Sequence, residues 1–74
     1  MSHLLDVRGL QCPLPVLRTR KKLLDVPPGE ILTVLATDPA SRIDMRAFCN
    51  EAELELVGAS EADGVFRYEI RQRG

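Results

Sequence analysis

Apolar and polar positions follow two different periods along this chain. His3–Val7 is short, apolar-rich and stopped by Arg8-Gly9, which predicts a first strand closed by a turn. Pro13–Asp25 takes helical spacing instead. Val16, Leu17, Leu23 and Leu24 fall at i, i+1, i+7 and i+8 and are expected on the inward side. Pro13 suits the first helical position, where a missing N–H costs nothing, and Pro27-Pro28-Gly29 ends the helix. Glu30–Thr37, with Ile31, Leu32, Val34 and Leu35, is the most apolar run and reads as a central buried strand. Asp38-Pro39 offers an N-cap and first-turn pair to a second helix, whose inward stripe is Met45, Phe48, Cys49 and Ala52. Glu53–Ala59 and Val65–Gln72 read as two more strands, with Asp63-Gly64 as hairpin turn. Alternation along the last strand turns Phe66, Tyr68 and Ile70 to the core and Arg67, Glu69 and Arg71 to water.

The predicted order is β-α-β-α-β-β. Because a strand–crossover–parallel strand unit is right-handed, both helices fall on one face of the sheet. The expected fold is α+β: a two-layer α/β sandwich with a four-stranded mixed sheet. The 74 residues make one domain, 1–74. A chain this short buries only about 60% of its unfolded surface. Its chemistry is therefore expected at the surface, completed by a partner, and not in an enclosed cleft.

Charge refines the picture. The net charge of −1 argues against a general nucleic-acid or membrane binder. Its distribution is uneven: Arg8, Arg18, Arg20, Lys21 and Lys22 lie in a stretch without acids, and acids dominate from Asp44 to Asp63. Both runs read either as solvated faces or as docking surfaces, with Arg18, Arg20, Lys21 and Lys22 the candidate partner-binding stripe. Asp6 and Arg8 interrupt the opening apolar run, so no signal peptide is expected. No stretch approaches the roughly 20 apolar residues of a membrane span. Two cysteines without an export signal predict reduced, cytoplasmic thiols.

The sharpest local feature is Cys12-Pro13-Leu14-Pro15. It places a thiol at the N-cap of the first helix, where the positive end of the helix dipole favours an anion. Neither proline has an N–H to give to sulfur, and the N–H of Val16 is expected on the carbonyl of Cys12. Leu14 N–H is left as the main backbone donor, which predicts a modestly activated thiol. The prolines also restrict the backbone, holding Cys12 at an exposed corner. The competing reading of Cys12 is a small buried residue. Cys49, inside an apolar stripe, reads as packing; its rival reading is a redox partner of Cys12, which the sequence does not place within disulfide reach.

Other chemistries find little support. A lone His3 gives neither a Cys–His base pair nor metal-ligand spacing, so no metal and no cofactor are expected. Asp6, Asp38 and Asp44 are available as acids, though capping and surface roles are commoner for such residues. A nucleophile without base, metal or pocket suits the passage of a group from thiol to thiol, which needs access and the right protonation state.

The spacing Asp6-x-x-Gly9-x-x-Cys12-Pro13-x-Pro15 resembles the signature of the TusA family of sulfur carriers, also called SirA-like. The resemblance continues through Pro28-Gly29-Glu30, Asp38-Pro39-Ala40, Phe48-Cys49 and Tyr68-x-Ile70-Arg71, nearly the whole chain in order. It implies the same sandwich and a sulfurtransferase that is more carrier than independent catalyst. Cys12 would accept a persulfide sulfur from a cysteine desulfurase or a rhodanese-like protein. Delivery would be to an acceptor protein in tRNA 2-thiouridine synthesis, molybdenum-cofactor formation or sulfur oxidation. Gly9, Pro13, Leu14 and Pro15 support the motif, with Leu14 at its variable position. Cys49 matches a second cysteine that some relatives have and that transfer does not generally need. The alternative is a small RNA-binding or regulatory module using the basic stripe, against which stand the overall acidity and the few aromatics.

Overall fold

The computed structural model describes residues 3–73. The elements are β1 (His3–Val7), α1 (Leu14–Leu23), β2 (Ile31–Ala36), α2 (Ser41–Glu51), β3 (Leu54–Ala62) and β4 (Val65–Gln72). The four strands form one mixed sheet in the order β1-β2-β4-β3, with β1 parallel to β2 and the other pairs antiparallel. α1 packs on β1 and β2, and α2 over β3 and β4, so the expected two-layer α+β sandwich is the fold. No helix among the described residues is long and apolar enough to cross a membrane.

Period-two alternation builds the core. Leu32, Val34 and Ala36 of β2 stand opposite Ile70, Tyr68 and Phe66 of β4, and all six are buried beneath the helices. Met45, Phe48 and Cys49 of α2 and Leu23 with Val26 at the end of α1 close the layer. Arg67 is exposed on the open face, while Glu69 and Arg71 are only half-buried there. At the hairpin, Asp63 and Gly64 both take positive φ (53° and 79°), the turn whose twist matches two antiparallel strands. β3 extends to Ala62, three residues beyond the predicted Ala59, because the tight turn lets pairing continue to Val65.

Three expectations about the helices are corrected. Leu23 and, in part, Val16 face the core as expected, joined by Pro15 and Thr19, whereas Leu17 is 50% exposed and Leu24 84%. The apolar pattern misplaced the rest of this face because it turns on Thr19, a polar residue that is fully buried. Thr19 satisfies itself by donating its hydroxyl to the Pro15 carbonyl (2.8 Å), which removes the cost of burying it. On α2, Ser41 is buried in place of Ala52, and its hydroxyl pairs with the Tyr68 hydroxyl at 2.8 Å. The N-cap of α2 is Ala40, and Asp38 acts one turn earlier: its backbone carbonyl accepts from Ser41 N–H and its Oδ1 from Ala40 N–H. β4 also secures the far end of α1. Gln72 Nε2 donates to the carbonyls of Leu23 (2.7 Å) and Val26 (2.8 Å), at and just past the end of the helix, where the Leu23 carbonyl also accepts from Val26 N–H (3.2 Å).

Candidate functional site

Parallel pairing of β1 with β2 delivers the C-terminal ends of both strands to one rim of the sheet. Val7 stands beside Ala36, so the loop after β1 and the loop after β2 are neighbours. Two hydrogen bonds join them: Gly9 N–H donates to Thr37 Oγ1 (2.9 Å) and Cys12 N–H to Asp38 Oδ2 (2.6 Å). Gly9 sits at φ +84°, a left-handed conformation that glycine adopts without a Cβ penalty. Just before it, Asp6 accepts from the Arg8 backbone N–H (3.0 Å), Nε (2.9 Å) and Nη2 (2.8 Å). Hydrogen bonding to Arg8 lowers the Asp6 pKa to about 2. Asp6 thus braces the turn and does not line the thiol's cleft.

Cys12 is a free, exposed thiol, in agreement with the exposed-corner expectation. It opens onto a shallow cleft between the helices, lined on the α1 side by Pro13, Val16 and Arg20 and on the α2 side by Asp44, Ala47, Phe48 and Glu51. Of the predicted basic stripe, Arg20 alone is brought to this cleft; Arg18, Lys21 and Lys22 lie outside it. The Arg20 guanidinium lies over the Phe48 ring, 5.4 Å from its centroid. Pro13, Leu14 and Pro15 form the entry to α1, with Leu14 41% exposed beside the thiol and Pro15 buried.

The expected activation of the thiol is corrected. The N-cap of α1 is Pro13, so Cys12 lies one residue outside the helix, and Pro13 precedes the first helical position instead of filling it. Leu14 N–H, the donor expected for sulfur, is taken by the Gln11 carbonyl at 2.8 Å. The Cys12–Pro13 peptide is cis. Hydrogen bonding to the Asp44 carboxylate raises the Cys12 pKa, aided by desolvation and the negative charges of Asp44 and Asp38. Sequence reasoning noticed both acids without assigning them to the thiol. Their signal was available in the parallel β1–β2 pairing, which places the Asp38 loop beside the Cys12 loop.

Cys49 is buried and free, so there is no Cys12–Cys49 disulfide, and burial pushes its thiol pKa up. His3 pairs with Glu30 at 2.6 Å, on the strand ends opposite the Cys12 rim. Among the described residues no group of His, Cys, Asp and Glu could hold a metal ion.

The fold and its rim-borne thiol define a small α+β domain with one accessible cysteine. Residues 3–72 match the family described as "Sulfurtransferase TusA". Two proteins of Neisseria meningitidis, from a serogroup A and a serogroup B strain, are each 47% identical over 72 residues, 97% of either chain. Both bear the name "Putative sulfur carrier protein". The crystal structure of a SirA-like protein from Desulfitobacterium hafniense superimposes with a TM-score of 0.83 at 28% identity, covering 100% of both chains. This chain belongs to the sulfurtransferase TusA family.

Proposed function

We propose that this protein is a sulfur carrier that accepts a sulfane sulfur on Cys12 and hands it to a second protein. The single observation behind this reading is the exposure of the Cys12 thiol at the strand rim, in a cleft too shallow to enclose a substrate. Its natural reactant is therefore a sulfur atom presented by another surface. The exchange balances without an oxidant: R–S–SH + Cys12–SH → R–SH + Cys12–S–SH. Cys12 Sγ attacks the terminal sulfur, the donor S–S bond breaks, a new S–S bond forms on Cys12, and the thiol proton goes to the leaving thiolate. Handing the sulfur to an acceptor thiol repeats the step in reverse.

The protein then acts as a sulfurtransferase within a relay. Its donor is a cysteine desulfurase or a rhodanese-like protein, its acceptor a further thiol protein, and its setting a reducing cytoplasm that keeps Cys12 unpaired. Family membership, over residues 3–72, supports this reading. The RNA-module alternative loses its stacking platform, because Phe48, Phe66 and Tyr68, all three aromatics of the chain, are buried.

Incubation with a cysteine desulfurase and cysteine, followed by intact mass measurement, tests the proposal. The wild type should gain the mass of one sulfur atom and Cys12→Ser should not. Failure of the wild type to gain it, or a gain that persists in Cys12→Ser, refutes the reading.

A further inference from the structure

Cys12 lies among carboxylates. Asp38 is fixed to its backbone N–H at 2.6 Å, and Asp44 and Glu51 line the cleft into which the sulfur opens. The groups that would stabilise a thiolate are committed elsewhere or missing. Leu14 N–H is bonded to the Gln11 carbonyl, and Pro13 and Pro15 have no N–H. Arg20, the one cation lining the cleft, lies over the Phe48 ring. A negative sulfur here would share its cleft with Asp44 and Glu51, and the backbone donor next to it, Leu14 N–H, is already bonded.

We propose that Asp44 is a positioning residue that keeps Cys12 in its S–H form until a docking partner brings positive charge into the cleft. The partner half of this inference rests on the carrier reading; the Asp44 half does not. The raised thiol pKa, led by hydrogen bonding to Asp44, agrees with the geometry. The thiolate is the nucleophile, so the unengaged carrier reacts slowly with stray alkylating and oxidising agents. A protein whose own reacting sulfur lies beside a lysine, an arginine or a helix N-terminus pairs that charge with Asp44. The Cys12 proton then leaves for the donor thiolate as the S–S bond is exchanged. A purely helical role for Asp44, an acid in the first turn of α2, would affect stability and leave the thiol's titration in place.

Two thiol measurements on the full chain test this without any persulfide. In the first, iodoacetamide alkylation of Cys12 is followed against pH. The wild-type rate should still be climbing above the ordinary thiol value of 9.0. Asp44→Asn should react about fivefold faster at pH 8, the effect of one charge at contact distance in water. Glu51→Gln, altering the other acid that lines the cleft, should change the rate less than Asp44→Asn.

In the second, exchange with cystamine, a dication, is compared with exchange with the dianion of 3,3′-dithiodipropionate. The wild type should prefer the cation, and the preference should fall about fivefold in Asp44→Asn. Superimposable pH profiles, a Glu51→Gln effect as large as that of Asp44→Asn, or an unchanged preference each overturn the proposal. None of these outcomes bears on whether Cys12 loads with sulfur, and failure to load would leave the titration result standing.

Discussion

The Asp38 carboxylate reaches from the turn before α2 to the backbone of Cys12, accepting its N–H at 2.6 Å, while its other oxygen accepts from Ala40 N–H at 3.1 Å. One side chain thus braces the turn before α2 and fixes the peptide that bears the thiol. Asp38→Ala should lower stability by about 1–2 kcal/mol, the scale of two lost hydrogen bonds to backbone N–H groups, as read from urea unfolding. It should also slow sulfur loading of Cys12 more than the stability loss explains, because the loop is no longer held.

The two thiols should separate cleanly under native conditions. A maleimide should modify Cys12 alone, and Cys49, 3% exposed, only when denaturant opens the core. Cys49→Ala should cost about 1 kcal/mol, typical of a core substitution, and leave loading intact. Loss of loading in a folded Cys49→Ala protein would reassign this residue.

Tyr68→Phe removes the hydroxyl that pairs with buried Ser41. The orphaned Ser41 hydroxyl should cost about 1–2 kcal/mol, and the double variant with Ser41→Ala should recover part of that loss. Chemical denaturation of the four proteins in the cycle measures the coupling.

Arg20 is the member of the basic stripe that lines the cleft beside Cys12. Arg20→Glu should slow transfer from a protein donor, and the wild-type rate should fall as salt rises, since exposed charges are screened within about 8 Å at physiological ionic strength. Salt-independent stopped-flow kinetics would make the stripe a solvated face.

Acid should loosen the β1 turn in a defined window. The Asp6 pKa is lowered from 3.8 to about 2 by Arg8, so its contribution is present above 3.8 and is lost as pH falls toward 2. Asp6→Asn should flatten that limb of the stability–pH curve, measured by thermal unfolding at stepped pH.

Much of this architecture is legible in residue order. β1 and β4 occupy the predicted spans, the element order is as expected, and Asp63-Gly64 makes the hairpin, because alternation and turn chemistry are local signals. What escaped depends on polar residues whose hydroxyls are satisfied inside the core, one within its own helix and one across to a strand. Thr19 and Ser41 are buried because each finds a partner for its hydroxyl, which hydrophobic counting cannot register. Cys12 was legible as an exposed thiol, yet its chemical state was misread. The helix starts one residue later than expected, Leu14 N–H goes to the Gln11 carbonyl, and acids some thirty residues along the chain stand beside the thiol.

Parallel pairing of β1 and β2 has a practical consequence for joining this domain to others. β1 begins, and β4 finishes, on the side away from the Cys12 rim, a six-residue strand or about 20 Å distant. A fusion or surface tether attached through that side would present the sulfur outward like the tip of a probe. Immobilised that way, the protein could meet a soluble donor with its working end unobstructed.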